Sequence, residues 1–539
     1  MNEVIEFKEK IKSLIDNLKS ICRTAGLGNS GNEYQIITQV FLYKFLNDKF
    51  LYEIEKKMPE NNNLESELKK LKKDKYEMLM MELDPNIARL KPDQFISSIY
   101  EKQNEKNFSK IFDDNLLEIA NYNNEIFSVL TSGGKKIILF EEISQHVNDK
   151  KDKFCKALIN ELITFNFKNI FDQKFDFFAD IFEYLINDYN SNKGGIYAEY
   201  FTPHSVAKIM ASCLVNKKFN NVTCYDPSAG SGTLLMNLAH TIQENKCTIY
   251  SEDISLKSTQ LLRLNIILNN LVHSIPNIIQ GDTILEPFHR DTNNNYKKFD
   301  FVVSNPPFKL DFSKIREELD TKENHERFFA GIPAIPKKEP ERMAIYLLFI
   351  QHIIFSLSEK GKSSIVVPTG FLTATGNIET NIRKHIIDNK MLRGVIVMPP
   401  NIFAETNTNV SILFLDKEDR SNDAILIDAS NLGTTYKQGK KKKTILSNDD
   451  ELLITKTFSE YEGKDDFSKI VSFDKIKSKK YIFSPGIYFD LKFDVKEISQ
   501  EKFDKTIKDF ETNLENLFKE SSSTQKKLKE ELKKIKYGD

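Results

Sequence analysis

Val222-Thr223-Cys224-Tyr225-Asp226-Pro227-Ser228-Ala229-Gly230-Ser231-Gly232-Thr233 is an apolar run that ends in an acid and breaks into a glycine turn. Leu234-Leu235-Met236-Asn237-Leu238-Ala239, directly behind it, has helical character. Strand, glycine turn and helix in that order predict the opening unit of a doubly wound α/β sheet. Gly230 and Gly232 let the backbone turn sharply and bring its amides close to a ligand, at a helix end that favours negative charge. The stretch is neither a GxGxxG fingerprint nor a P-loop, because no lysine follows the second glycine, so a triphosphate cradle is not expected. Asp226 would repel a phosphate and suits a ligand that carries a cationic ammonium instead.

Around this unit, apolar strand-like runs recur at 222–225, 247–251, 277–280, 299–303, 363–367, 393–398 and 410–415. Helical segments alternate with them, among them Leu234–Ile242, Thr259–Asn269 and Met343–Ser358. In such a sheet the ligand lies beyond the carboxyl ends of the strands, and acids stand at those ends. The second run closes on Glu252-Asp253, about 20 residues past the glycine turn, the distance at which an acid meets ribose hydroxyls. A third strand end carries Asp282, able to accept a hydrogen bond from an amino group on a purine. Each acid alone would read as a solvated loop residue; their joint order argues for a nucleoside site.

The fourth run, Phe299 to Ser304, closes on Asn305-Pro306-Pro307-Phe308. The two prolines hold the backbone extended and supply no donor of their own. The Asn305 side-chain oxygen and the Pro306 carbonyl can both accept from an exocyclic amino group, and Phe308 can stack on the ring that bears it. A proline turn after a strand would use the same residues, but not downstream of that glycine turn and those acids. The segment 309–342, rich in Lys, Glu and Pro, is expected to be a mobile loop.

The chain has 539 residues, 40% hydrophobic and 29% charged, enough for two or three domains. Seventy-seven basic residues meet 78 acidic ones for a net charge of −1, low for a protein that grips DNA unaided. The five cysteines, Cys22, Cys155, Cys213, Cys224 and Cys247, form no CxxC pair and no metal spacing, so reduced thiols are expected. No signal peptide and no apolar run of membrane-spanning length is evident, which predicts a cytoplasmic protein.

Residues 1 to about 165 read as helical, with Phe7, Ile11, Ile15 and Leu18, then Ile36, Val40, Tyr43, Leu46 and Phe50, at helical spacing. Ile137-Ile138-Leu139-Phe140 is too short to classify. Phe175–Asn187 reads as an amphipathic helix. Lys440–Lys443 reads as a solvated loop or as a phosphate contact. Residues 495–536 read as a helical tail whose apolar stripe (Phe503, Ile507, Phe510, Leu514, Leu517, then Leu528, Leu532, Ile535) is broken at Ser521-Ser522-Ser523. Such a stripe has little core of its own to join, so a partner helix is expected.

Taken together, these segments resemble the modification subunits of type I restriction–modification systems, S-adenosylmethionine-dependent adenine-N6 DNA methyltransferases. Gly194-Gly195-Ile196-Tyr197-Ala198-Glu199-Tyr200-Phe201-Thr202-Pro203-His204 is similar to that family's cofactor motif, with three residues inserted after the glycines and His204 where the family usually has Arg. Asp226–Leu235, Tyr250–Ile254, Gly281–Thr283, Asn305–Phe308, Val366–Leu372 and Val395–Phe403 match in type and order. The resemblance covers nearly the whole chain.

It implies four parts: a helical N-terminal domain (1–165), a Rossmann-like methyltransferase domain (166–430), a connector (431–494) and a helical tail for assembly (495–539). It implies that Glu199, Tyr200, Phe201, Thr202, Pro203 and His204 hold the methionine end of S-adenosylmethionine. Asp226 with Gly230, Ser231, Gly232 and Thr233 would hold the ammonium, Asp253 or Glu252 the ribose, with Asp253 favoured, and Asp282 the adenine. Asn305, Pro306, Pro307 and Phe308 would bind the target base. The implied partners are double-stranded DNA, a specificity subunit, a second copy of this chain and a restriction (nuclease/translocase) subunit, in a bacterial or archaeal cytoplasm. Cytosine-N4 methylation, which usually has Ser in place of Asn305, glutamine methylation, typical of shorter chains, and a scaffold with an inactive pocket are the competing readings.

Overall fold

All seven apolar runs form strands, and they assemble in the order that a doubly wound sheet requires. The computed structural model describes residues 2–28, 31–58, 63–168, 171, 184, 202–403, 408–419, 421–438, 441–489 and 499–534. The strands are β1 (Val129–Thr131), β2 (Lys136–Ile137), β3 (Val222–Asp226), β4 (Cys247–Asp253), β5 (Ile278–Gln280), β6 (Phe299–Ser304) and β7 (Leu357–Pro368). They continue with β8 (Leu392–Val397), β9 (Val410–Asp416), β10 (Asp423–Asp428), β11 (Thr434–Gln438), β12 (Lys441–Ile445) and β13 (Ser468–Ser472). Eleven of them form one sheet in the order β13-β10-β8-β9-β7-β6-β3-β4-β5-β1-β2, while β11 and β12 form a separate ribbon.

From β5 through β7 the neighbours are parallel; β9 alone inserts antiparallel between β7 and β8. Strands covered on both faces must be largely apolar, which is why the parallel β6 and the central antiparallel β9 both read as apolar runs. β9 is buried along its whole length. Strand order reverses between β3 and β6: the chain winds outward through β4 and β5, then returns to place β6 on the other side of β3. Crevices at such switch points hold ligands.

The chain divides into two compact units, Met1–Phe489 and Asp490–Asp539. The sheet runs past residue 430, since β13 pairs antiparallel with β10, so residues 431–489 belong to the first unit and do not hang from it as a connector. The N-terminal region is helical as expected, with Ile11, Ile15, Leu18, Val40, Tyr43, Leu46 and Phe50 buried. It also contributes a hairpin, β1–β2, that extends the sheet beside β5 and absorbs the start of the short apolar run at 137–140. Arg263 locks this hairpin in place. Buried on the helix Leu256–Leu268, it donates to the carbonyls of Phe127 (3.4 Å), Ile137 (3.0 Å), Ile138 (3.0 Å) and Leu139 (3.2 Å).

Segment 309–342 is folded, contrary to the expectation of a mobile loop. Phe312, Leu319 and Phe328 form a small second core with Ile284, Met343, Ile345, Leu348 and Phe349. Its polar composition hid three aromatic and aliphatic anchors spaced too irregularly to mark a helix. The expected helix at 175–187 lies outside the described residues. In the second unit, Gln500–Lys534 is one helix that continues through Ser521–Ser523; only its apolar stripe has a gap there. Phe503, Phe510 and Leu517 on it are 50%, 65% and 62% exposed.

Replacing Arg263 by Leu strands the carbonyls it serves, an expected cost of roughly 3 kcal/mol or more. Thermal unfolding should shift downward, and hydrogen exchange should rise first across residues 127–139.

Candidate active site

At the carboxyl end of β3, Asp226 is 1% exposed. Its carboxylate accepts from the Ser228 amide at 2.9 Å. The Ser228 hydroxyl in turn meets the Ser304 hydroxyl at 2.7 Å, so the ends of β3 and β6 are bridged across the switch point. Burial pushes the Asp226 carboxyl up to about 7, against the pull of the Ser228 and Ser304 groups. A carboxyl so buried at the switch point is a candidate functional group.

The glycine turn follows. Gly230 and Gly232 both have positive φ, 53° and 82°. A Cβ on Gly232 would meet Leu262 Cδ1 at 2.2 Å, so that side chain would have to shift, on top of the strain of the positive φ. A Cβ on Gly230 would meet nothing within 4 Å, so the space beside it is open to a ligand. The Gly230 amide donates to Asp253 Oδ2 at 2.8 Å, and Ser255 N donates to Asp253 Oδ1 at 2.8 Å. Asn265 holds the Ser231 carbonyl at 3.1 Å, and Ser231 and Thr233 hydroxyls lie 3.1 Å apart. From Thr233 a helix runs to Ile242.

Two adjacent acids at the end of β4 part company here. Successive side chains on a strand point to opposite faces. Asp253 joins the glycine turn, whereas Glu252 is 1% exposed and turned inward. Tyr225 Oη donates to it at 3.1 Å and Phe288 N at 3.2 Å, and burial pushes its carboxyl up to about 7. Tyr225 also meets His352 Nε2 at 3.2 Å. Glu252 is therefore a member of a buried polar network, while Asp253 stays at the glycine turn.

Asp282, after β5, accepts from the amides of Ile284 and Leu285 at 3.0 and 3.1 Å and so shapes its own turn. Thr283 Oγ1 donates to the Pro227 carbonyl at 2.7 Å, tying this turn to the glycine turn. Arg327, from the folded excursion, donates to the Thr283 and Ile284 carbonyls. Thr283 and Arg327 were not anticipated: nothing in a loop sequence marks an arginine that will bind backbone.

Asn305 is 9% exposed, with Pro306 buried and Pro307 half-buried. Its Nδ2 donates to Thr202 Oγ1 at 3.1 Å. That bond commits the amide nitrogen and leaves the side-chain oxygen to accept from a ligand. Thr202 therefore reaches the Asn305 loop, while Pro203 precedes the helix His204–Leu214. His204 is half-buried, its Nδ1 3.4 Å from Asn237 Nδ2. Phe308 does not stand free: it is 7% exposed and packs edge-to-face on Tyr346 at 6.4 Å. Glu199, Tyr200 and Phe201 lie outside the described residues.

The five cysteines are unpaired and buried. Among the described residues no helix is long and apolar enough to cross a membrane, and no cluster could hold a metal ion.

Strand order, the glycine turn and the acids at the strand ends define the class as an α/β methyltransferase fold with an amide-and-proline loop at the switch point. Residues 173–497 match the family described as N-6 DNA Methylase. The type I restriction enzyme MpnII methylase subunit of Mycoplasma pneumoniae is 28% identical over 391 residues, 71% of this chain and 68% of that one. The MjaIX methylase subunit of Methanocaldococcus jannaschii is 27% identical over 374 residues, 66% of this chain and 62% of that one. The crystal structure of a type I restriction–modification methyltransferase subunit from Streptococcus thermophilus superposes with a TM-score of 0.71, covering 90% of this chain and 100% of that one at 23% identity, a likeness of fold. The chain belongs to the N-6 DNA methylase family.

The two glycines are expected to differ on substitution. Gly232→Ala should lower the thermal midpoint through its positive φ and the shift it forces on Leu262. Gly230→Ala should cost only about 1 kcal/mol of backbone strain; Gly230→Val should fold yet obstruct the crevice, as ligand titration would reveal.

Proposed function

We propose that the chain is the modification subunit of a type I restriction–modification system, an adenine-N6 DNA methyltransferase whose target sequence is read by a separate specificity subunit. The Thr202–Asn305 bond carries this reading, because it turns the Asn305 oxygen into an acceptor one serine bridge away from Asp226.

N6 of adenine is a poor nucleophile because its lone pair is delocalised into the ring. Asn305 Oδ1 and the Pro306 carbonyl accept its two hydrogens and draw them out of the ring plane, which localises the lone pair. Thr202 holds the amide in the orientation this needs, so little reorganisation remains at the moment of reaction. Extruding the base from the duplex costs a few kcal/mol. Phe308, its ring plane set by Tyr346, offsets part of that cost by stacking, and positioning supplies most of the rate. No cysteine nucleophile takes part, which separates this chemistry from methylation of a ring carbon.

The site fits S-adenosylmethionine: an ionised Asp226 for the ammonium, open space at Gly230 with Ser231, Gly232 and Thr233 along the turn, Asp253 for the ribose and Asp282 for the adenine. When bound, this cofactor supplies the activated methyl group. Glu199, Tyr200, Phe201, Thr202, Pro203 and His204 are assigned to its methionine end.

The near-neutral charge and the exposed stripe on Gln500–Lys534 support assembly with a specificity subunit, a second copy of this chain and a restriction subunit on double-stranded DNA. Residues 1–165 are taken as a helical domain docked on the catalytic sheet. Five free thiols suit a bacterial or archaeal cytoplasm.

The decisive experiment reconstitutes the chain with its specificity subunit and sequences the product DNA for N6-methyladenine. Methylation at one defined site is expected, and Asn305→Ala should reduce turnover by about 100-fold or more while calorimetric affinity for the cofactor stays near native. Full turnover by Asn305→Ala, or a wild-type complex that leaves adenine unmodified, would overturn the proposal.

The Asp226 carboxyl, raised to about 7 by burial, sets a pH dependence. Because its folded value lies above its ordinary one, the ligand-free fold loses stability as pH rises toward about 7. The ammonium needs the ionised form, so cofactor binding expels a proton below that value. Affinity should climb with pH by up to roughly tenfold per unit and level off above about 7. Asp226→Asn should bind weakly and without this slope in calorimetry.

A further inference from the structure

The ribbon formed by β11 and β12 has no place in the chemistry above. Two isolated strands are marginal in water, yet this ribbon is deliberately anchored. Thr444 donates through its amide to the Asn401 carbonyl at 3.1 Å and through its hydroxyl to the Pro400 carbonyl at 2.6 Å. Thr435 and Thr444 hydroxyls cross-link its strands at 2.9 Å. Gly433, with φ of 82°, closes so tightly on it that a Cβ would meet Thr444 Cγ2 at 2.8 Å.

The anchor is the loop after β8, and the ribbon itself follows β10. Both strands run parallel to the catalytic β6, since β8 and β7 each oppose β9. The ribbon therefore rises from the same edge of the sheet as the Asn305 loop. β8 stands three places from β6 in the sheet, or about 14 Å at a strand spacing of about 4.8 Å.

What the ribbon carries is charge. Lys437 and Lys440–Lys443 put five lysines within seven residues of a chain whose net charge is only −1. Lys437 and Lys442 are directly paired across the ribbon and both exposed. Like charges in that position destabilise a ribbon. Lys443 faces Tyr436, itself 38% exposed, on the opposite side. Among the described residues no ion pair neutralises Lys437, Lys442 or Lys443. Unneutralised, mutually repelling cations on a firmly anchored element are relieved by a polyanion, and a duplex offers one phosphate per strand for about every 3.4 Å of its axis.

We propose that the β11–β12 ribbon grips the phosphate backbone of double-stranded DNA to one side of the adenine that enters the Asn305 loop. The proposal rests on the adenine-methyltransferase reading for its register, not for its chemistry.

The test uses the complex with the specificity subunit and compares wild type, the triple variant Lys437→Ala/Lys442→Ala/Lys443→Ala and the matching triple Lys→Arg variant. DNA affinity is measured by fluorescence anisotropy across a salt series, alongside cofactor calorimetry, assembly by sedimentation, and turnover at saturating DNA. The alanine variant should flatten the log–log salt dependence by about 1 to 3, near 0.9 for each phosphate no longer neutralised, and weaken binding roughly tenfold or more at moderate salt. Assembly, cofactor affinity and saturated turnover should hold, and the arginine variant should keep the wild-type slope. An unchanged slope in the alanine variant would overturn the proposal. So would weakened assembly at an unchanged slope, which would give the ribbon to an acidic surface of a protein partner. A ribbon-dependent slope in a complex that never methylates adenine would uphold the ribbon's role and overturn the enzymatic reading instead.

Discussion

Everything at the site depends on β6 lying beside β3. That neighbourhood brings Ser304 and Ser228 within hydrogen-bond distance and sets the Asn305 loop against the Asp226 turn. Neither loop is a site by itself: one offers acceptors for an amino group, the other an acid and open space beside a glycine. Only a sheet whose winding reverses between them leaves a crevice that both can line. The parallel strands on either side, buried on both faces, make that arrangement rigid.

Around the crevice, buried polar groups act mainly on backbone. Arg263 holds four carbonyls of the N-terminal hairpin segment, Arg327 holds two of the Asp282 turn, and Arg383 donates to the carbonyls of Phe371, Ala374 and Tyr481. A guanidinium serves this purpose because its donors are fixed in one plane and cannot be neutralised by losing a proton. In each case short elements and the turns that flank them are held by a side chain from another part of the chain. The Tyr225–Glu252–His352 network does the same for the strand ends, joining β3, β4 and the helix Tyr346–Ser356 beneath the site.

Much of this was legible in the chain. The seven central strands, the glycine turn and the helical N-terminal region follow from periodicity and from residues with strong local preferences. The excursion at 309–342 was misread because its anchors, Phe312, Leu319 and Phe328, form their core with residues outside the segment, among them Ile284, Met343 and Phe349. The contribution of β1 and β2 to the sheet was invisible because two- and three-residue strands carry no period. Ser521–Ser523 interrupts the apolar stripe of the C-terminal helix but not its backbone, since serine is a tolerable helix residue when exposed.

The order of strands and turns, the residue types at each strand end and the kind of chemistry they can perform were all written in the chain, because these depend on neighbours along it. Which of those residues meet was decided by tertiary structure. It turned Glu252 into the core and left Asp253 at the turn, although they are adjacent in sequence, because one residue of register on a strand exchanges faces. It bonded Thr202 to Asn305 across 103 residues, orienting the amide that the chemistry needs. It also raised a lysine-rich ribbon on the same edge as that amide, a consequence of β8 and β10 running parallel to β6 that no local pattern encodes.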